Sequence, residues 1–166
     1  MTDFETALIV LTRAGVNFVV VGAYAGVLQG TGQVTQDLDI CYERTTENMK
    51  RLIAALTPYH PRLRGAPANL PFLFDERTLF QGMNFTLETD LGDIDLLGHL
   101  SGLGQFQEIA QDAISTSVFG VPVHLASLDA LIRSKRAAGR PKDVNSLPEL
   151  EALKELHNTR KDEGKR

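Results

Sequence analysis

Apolar residues recur along the chain with two different periods, one typical of helices and the other of strands. The helical period, with its capping residues and breaks, predicts helices over residues 2–15, 22–30, 47–56, 128–139 and 147–157, a short one near 75–81 and another beginning at Pro141. Runs of β-branched residues and strict alternation predict strands over 16–22 and 37–43 and hairpins over 83–98 and 115–127. The order of these elements favours one small α/β (α+β) domain, with a mixed β-sheet flanked by helices.

Local signals predict where several of these helices begin. Thr2 and Glu5 have the spacing of a capping box, Thr45 or Thr46 suits the N-cap of the third helix, and Ser127 suits that of the helix over 128–139. Residues 57–75 hold four of the seven prolines and predict an irregular loop. The residues expected in the core are Leu8, Leu11, Val19, Val21, Ile40, Leu52, Leu96 and Leu131.

The overall composition is that of one folded domain. We expect this domain to span residues 1–158, followed by a charged and frayed tail over 159–166. The net charge of -4 gives no broad footprint for duplex nucleic acid, and the one cysteine, Cys41, excludes a disulfide framework. No stretch has the length and hydrophobicity of a membrane span, so we expect a cytoplasmic protein without membrane contact.

Two predicted strands each carry a pair of aspartates that apolar residues surround. Asp37 and Asp39 stand two apart in "QDLDI", and Asp93 and Asp95 stand two apart in "GDIDLL". Residues two apart in a strand point to the same face, so each strand places two carboxylates side by side. If the strands are neighbours, the carboxylates converge, and such a cluster is stable only when cations neutralise it. Oxygen ligands of this kind suit Mg²⁺ or Mn²⁺.

A glycine at the end of the first strand adds a second feature. In "VVVGAYAGVLQG", Gly22 would let a phosphate approach the backbone, and the helix that follows offers free N–H groups at its N-terminus. The sequence therefore places a phosphate cradle shortly before the first aspartate pair.

These motifs resemble the DNA polymerase β-like nucleotidyltransferase superfamily. The order "VVVGA", "QDLDI", "GDIDLL" matches its pattern of an apolar run with glycine, then Asp-apolar-Asp, then a further aspartate on a later strand. The segments "TGQVTQDLDI", "FTLETDLGDIDLLG" and "LIRSKRAAGRPKDVNSLPELEAL" are similar to small stand-alone bacterial nucleotidyltransferases, some of them components of toxin–antitoxin pairs. The resemblance covers most of the chain and is weakest over residues 57–80.

The resemblance implies roles for individual residues. Asp37 and Asp39 would bind the metal ions, and Asp95, favoured over its rival Asp93, would complete the site and help to deprotonate the acceptor hydroxyl. Gly22 and the backbone of Ala23 would face the triphosphate. The chain departs from many relatives at Ala23, where they have Gly or Ser, and at Gln36, where some have a basic residue.

A basic segment near the C-terminus supplies candidate phosphate ligands. The stretch "RSKRAAGRPK" contains Arg133, Lys135, Arg136, Arg140 and Lys142. Helical spacing places Arg133 and Arg136 on one face, which could meet a triphosphate, whereas the alternative is a solvated helix end where cations are favoured. The resemblance favours Lys135, Arg140 and Lys142 as nucleotide-binding residues. Asp143 is expected to pair with one of these cations or to cap a helix.

The resemblance implies a metal-dependent enzyme that transfers a nucleoside monophosphate from an NTP to an acceptor hydroxyl and releases pyrophosphate. Ala23, Gln36 and the small size motivate an alternative, a non-catalytic nucleotide- or partner-binding module such as a toxin–antitoxin component. A simple divalent-cation-binding protein is a weaker idea, because such a protein needs no phosphate cradle. The acceptor could be a small molecule, a protein or RNA, and a partner protein or a second copy of the chain could complete its binding surface.

Overall fold

The computed structural model describes all residues from Met1 to Arg166 and contains seven helices and seven strands, with one 3-10 turn at Thr57–Tyr59. The helices are α1 (Phe4–Arg13), α2 (Gly22–Gln29), α3 (Thr46–Leu56), α4 (Glu76–Gln81), α5 (Phe106–Gln111), α6 (Leu128–Ala138) and α7 (Pro141–Glu163). The strands are β1 (Phe18–Val21), β2 (Asp37–Tyr42), β3 (Arg62–Leu63), β4 (Asn84–Thr89), β5 (Gly92–Leu97), β6 (Ile114–Val118) and β7 (Val121–Leu125).

The seven strands form a single mixed sheet in the order β3-β4-β5-β2-β1-β7-β6. The two predicted hairpins are the antiparallel pairs β4–β5 and β6–β7. Strand β2 lies between β1, to which it is antiparallel, and β5, to which it is parallel. The prediction of a mixed sheet flanked by helices is therefore confirmed, and the two strands with aspartate pairs are direct neighbours.

The hydrophobic core is one continuous cluster of 33 buried residues that includes both the sheet and the helices. All eight residues predicted to be in the core are buried, and Cys41 is fully buried as well. Helix α1 packs beside α2 through the stacked rings of Phe4 and Tyr24, whose centroids are 4.0 Å apart. Burial of this apolar surface is the main source of free energy that holds the sheet in place.

Some predicted helix boundaries are correct and others are not. Thr45 caps α3 and Ser127 caps α6, as expected. The capping box of Thr2 and Glu5 is wrong, because Asp3 is the N-cap and accepts a hydrogen bond from the N–H of Thr6.

The C-terminal region is one helix where the sequence predicted two. Helix α7 begins at Pro141 and continues through Pro148 as far as Glu163. A proline eight positions into a helix removes one hydrogen bond, and here the loss does not break the helix. The charged segment 159–163 is helical although its side chains are exposed.

Two elements have no counterpart in the sequence prediction. Strand β3 lies inside the proline-rich segment and pairs with β4, and helix α5 precedes β6. Among the helices, α7 is the longest, and none has both the length and the apolar surface needed to cross a membrane.

Candidate active site

Four carboxylates lie on one face of the sheet because β2 and β5 are parallel and in register. Asp37 is directly opposite Asp93, and Asp39 is directly opposite Asp95. Residues at matched positions of neighbouring strands point to the same face, so the two predicted pairs become a single cluster. The apolar residues between them, Leu38 and Ile94, point to the opposite face and are fully buried in the core.

Asp39 is the carboxylate whose charge is most strongly disfavoured. Burial, and after it the neighbouring carboxylate of Asp95, raise the pKa of Asp39 from 3.8 to about 8. The charge of Asp37 acts in the same direction, whereas Lys135 opposes the shift. Near neutral pH, Asp39 therefore holds a proton unless a cation replaces it.

Gly22 provides the space that the Asp39 side chain occupies. It is the first residue of α2, its φ is +65°, and a Cβ at this position would overlap Oδ2 of Asp39. A side chain at position 22 would thus be strained in its backbone and would collide with the acid cluster. The glycine motif places the N-terminus of α2 directly beside the carboxylates.

Thr2 joins the starts of the two aspartate strands to the N-terminus. Its hydroxyl donates a hydrogen bond to the carbonyl of Gln36 and accepts one from the N–H of Asp93 at 3.1 Å. This explains why Thr2 does not cap α1, since its hydroxyl already has two partners. The contact fixes the backbone at the point where both aspartate strands begin.

A cavity of about 530 Å³ opens beside the cluster. Seven of the eight predicted site residues line it, namely Gly22, Ala23, Asp37, Asp39, Lys135, Arg140 and Lys142. The eighth, Asp95, does not line the cavity and lies behind it, opposite Asp39. Apolar residues complete the wall, among them Leu97, Leu131 and Val34, which is 93% exposed.

The cationic wall of the cavity is organised by a buried carboxylate. The side chain of Asp143 is 1% exposed, and its oxygens lie 3.3 Å from Nζ of Lys135 and 2.6 Å from Nε of Arg140. Asp143 also caps α7 by accepting a hydrogen bond from the N–H of Arg140. The hydrogen bond from the Arg140 side chain lowers the pKa of Asp143, so this carboxylate stays charged. Asp143 both pairs with cations and caps a helix, the two roles that the sequence left open.

The other two arginines of the basic segment lie away from the cavity. Arg133 is 3.8 Å from Asp112, and Arg136 forms an ion pair with Glu151. Both are more than half exposed on the outer side of α6. The face shared by Arg133 and Arg136 therefore does not meet the cavity, whereas Lys135 does.

Arg64 lies among the carboxylates, although it was not among the predicted site residues. Its Nη2 donates a hydrogen bond to Asp95 at 2.7 Å, its Nε is 3.2 Å from Asp93, and its Nη1 is 3.7 Å from Asp37. A second hydrogen bond from Nη2 to the carbonyl of Leu87 fixes the guanidinium against β4. The "RLR" stretch inside the predicted irregular loop over 57–75 was the one available signal, and it carries no periodicity.

The aspartates of the cluster have the chemistry that a divalent cation requires of its ligands. The carboxylates are hard oxygen ligands, and Asp39 and Asp95 are neighbours whose charges repel. No three His, Cys, Asp or Glu side chains are yet arranged around one point as metal ligands. Arg64 neutralises one side of the cluster instead, while Asp37 and Asp39 face the cavity.

Comparison with known proteins identifies the fold. No protein-family model matches the sequence, and no curated protein does either. The chain is similar to two solved structures of the antibiotic-resistance factor ANT(2″)-Ia, one of them in solution. The solution structure has a TM-score of 0.54 and 15% identity, over 97% of this chain and 92% of the other. The crystal structure, in complex with adenylyl-2″-tobramycin, has a TM-score of 0.56 and 15% identity, over 94% and 95%.

The chain has a nucleotidyltransferase fold. At this level of identity the likeness concerns the fold, and it extends over nearly the whole chain on both sides. Within this fold, the acid pairs of β2 and β5 are neighbours because the two strands are parallel and in register.

Proposed function

We propose that the protein is a metal-dependent nucleotidyltransferase that transfers a nucleoside monophosphate from an NTP to an acceptor hydroxyl and releases pyrophosphate. One observation supports this most strongly: the N-terminus of α2, the Asp37–Asp39 pair and three cationic residues line one cavity. A nucleoside triphosphate needs such a combination, because its phosphates require cations and backbone donors.

The residues of the cavity divide the work of the transfer. Lys135, Arg140 and Lys142 bind the triphosphate, and the backbone at Gly22 and Ala23 lets it approach the sheet. Asp37, Asp39 and Asp95 would hold Mg²⁺ or Mn²⁺. The ion, when bound, supplies Lewis-acid stabilisation of the charge that develops on the phosphoryl oxygens.

Asp95 is the proposed acceptor of the proton that the attacking hydroxyl loses. It lies directly opposite Asp39 on the neighbouring strand, next to the cavity but not lining it, with 16% of its side chain exposed. Asp95 is directly opposite Asp39 and its carboxylate interacts with that of Asp39, whereas Asp93 is opposite Asp37 and farther along the strand, which supports Asp95 as the third carboxylate. Most of the rate enhancement would come from positioning and charge neutralisation.

ATP is the nucleotide to test first, because the complex of ANT(2″)-Ia contains an adenylyl group joined to tobramycin. We propose a hydroxyl of a small molecule, a protein or RNA as the acceptor. A ligand that binds only the folded protein raises its melting temperature by mass action. We therefore expect an NTP with Mn²⁺ to raise the melting temperature of the wild type, and EDTA to abolish the rise.

The variant Asp37→Asn/Asp39→Asn should stay folded and lose this shift. Asp90→Asn is the matched control, since Asp90 lies in the β4–β5 turn and pairs with His60 at the surface. A folded wild type without any metal-dependent shift would contradict the proposal. Transfer itself is measured with an α-³²P-labelled NTP and fractionated extract, where label must pass to an acceptor in the wild type alone.

A non-catalytic nucleotide-binding protein is the second candidate. Two observations favour it: Ala23 has no hydroxyl to offer a phosphate, and Arg64 already neutralises part of the acid cluster. The two candidates differ in turnover. Metal-dependent NTP binding without transfer of label or release of pyrophosphate would support the second candidate against the first.

A further inference from the structure

Arg64 shares its charge among three carboxylates, of which two are proposed metal ligands. The contacts run from Nη2 to Asp95 at 2.7 Å, from Nε to Asp93 at 3.2 Å and from Nη1 to Asp37 at 3.7 Å. The side chain is 27% exposed, so it is largely shielded from solvent. A guanidinium that spans the cluster in this way neutralises the carboxylates, as a bound metal cation would.

The position of Arg64 is fixed by backbone pairing as well as by charge. Its N–H donates to the carbonyl of Thr86, which extends the β3–β4 pairing by one residue. Its Nη2 donates to the carbonyl of Leu87 on the same strand. The root of the side chain is therefore held at the edge of the sheet, while the guanidinium reaches over β5.

We propose that Arg64 is a resident counter-cation that competes with the divalent ion for Asp95 and Asp37. When an ion binds these carboxylates, two cations would share one ligand set, and their repulsion drives the guanidinium away from Asp95. Asp93 then retains Arg64, because its carboxylate is paired with Nε and belongs to no proposed ligand set. This gives Asp93 a role distinct from that of Asp95, and it makes the nucleotide-free protein a weak metal binder.

The opposite reading assigns Arg64 a purely supporting role. A supporting guanidinium would hold Asp95 in the orientation that the ion needs, and its removal would weaken metal binding. A competing guanidinium blocks the same oxygen, and its removal strengthens metal binding. The two readings thus predict changes of opposite sign in one measurable quantity.

The experiment measures Mn²⁺ affinity of nucleotide-free protein by the electron paramagnetic resonance signal of the free ion. We expect Arg64→Gln to bind Mn²⁺ about tenfold more tightly than the wild type, the change that corresponds to 1.4 kcal/mol. Arg62→Gln is the matched control, since Arg62 is an exposed neighbour that pairs with Glu88 and does not contact the cluster. Equal or weaker Mn²⁺ binding by Arg64→Gln would overturn the proposal.

Arg64→Lys covers the case in which the glutamine variant fails to fold. An ammonium keeps the charge but cannot span two carboxylates as the guanidinium fork does, so this variant should also bind Mn²⁺ more tightly than the wild type, by a smaller factor. In a parallel melting series, Mn²⁺ should raise the melting temperature of each Arg64 variant more than that of the wild type. Weaker binding by Arg64→Lys would count against the proposal in the same way.

The inference rests on the metal site of the proposed function, and the two can fail separately. If Asp37→Asn/Asp39→Asn binds Mn²⁺ as the wild type does, the metal site itself is wrong and both proposals fall. If Mn²⁺ binding depends on these aspartates but Arg64→Gln does not strengthen it, only the competition is wrong. Mn²⁺ binding that is detected only in the Arg64 variants, and that depends on Asp37 and Asp39, would support both proposals.

Discussion

At the scale of single residues, the site is defined by an excess of negative charge within a small space. Four aspartates meet on one face of the sheet, and Arg64 is the cation that contacts three of them. Asp39 lies beyond the reach of these contacts and instead holds a proton near neutral pH. We therefore expect the protonation of Asp39 to respond directly when a cation binds the cluster.

Asp39 should make the stability of the metal-free protein depend on pH. Its pKa is about 8 in the folded state against 3.8 as the ordinary value, so between these values the folded protein holds a proton that the unfolded chain has lost. The free energy of unfolding then falls as pH rises through that interval. The largest slope expected from one such group is about 1.4 kcal/mol per pH unit. Urea unfolding in EDTA, measured for the wild type and Asp39→Asn, checks this.

The asparagine variant carries no titratable proton at this position, and its stability should fall less steeply with pH than that of the wild type. The difference between the two proteins cancels the contributions of the groups that do not interact with Asp39. Parallel pH profiles would show that the carboxyl of Asp39 has an ordinary pKa.

Gly22 can be tested against a glycine with the same backbone conformation. Gly22→Ala combines left-handed strain, worth about 1–2 kcal/mol, with a collision between the new Cβ and Asp39. Gly120→Ala carries only the strain, because its φ is +77° and no atom lies within 4 Å of the added Cβ. We expect Gly22→Ala to be the less stable variant and to lose the NTP-dependent melting shift, which Gly120→Ala should keep. Equal behaviour of the two alanine variants would mean that Asp39 has room to move away.

At the scale of elements, the cationic wall depends on the junction between α6 and α7. Lys135 lies near the end of α6, Arg140 immediately precedes α7, and Asp143 in the first turn of α7 contacts both. A single buried carboxylate thus links the two helices and points two cations toward the cavity. The contacts of Asp143 thus hold both cations in place, which would lower the entropic cost of binding an anion there.

Asp143→Asn should weaken both the fold and the nucleotide site. Loss of the charge leaves Lys135 and Arg140 without their partner, and we expect a fall of about 1–3 kcal/mol in the free energy of unfolding. The melting shift caused by NTP should also shrink, since the two cations are no longer held in place. Asp129→Asn removes a partner of Lys154 from an exposed pair and should cost at most about 1 kcal/mol without changing the shift. If Asp143→Asn is destabilised but NTP still raises its melting temperature as in the wild type, Asp143 acts only as a helix cap.

The sequence predicted those elements whose signals are local. Alternation of apolar and polar residues predicts the hairpins over 83–98 and 115–127, whose paired strands are adjacent in the sequence. It also predicts that each acid pair shares one face of its strand, and the order of the motifs resembles that of a known superfamily. Arg64 could not be found in this way, because β3 is two residues long and becomes a strand only by pairing with β4. Thr2 was misread for a related reason: its partners are Gln36 and Asp93, far away in the sequence.

At the scale of the whole molecule, one core cluster supports every strand and most helices. We expect residues 1–158 to unfold in a single cooperative transition, and the exposed helical end at 159–163 to fray without affecting it. Far-UV and near-UV circular dichroism should give coincident melting curves. Hydrogen exchange should be fast at the amides of 159–163 and slow in β1 and β2. Two separate transitions would contradict the prediction of one domain.

The burial of Cys41 has a practical consequence for watching the cavity at work. Burial raises the pKa of its thiol to about 12, so a maleimide reagent at neutral pH finds almost no thiolate there. Val34, on the cavity wall, is 93% exposed. A Val34→Cys variant would therefore take up a single fluorophore at the wall of the cavity without removal of the native cysteine. Because the chain has no tryptophan, the protein adds no tryptophan fluorescence, and a change in the emission of the label would report the binding of a ligand.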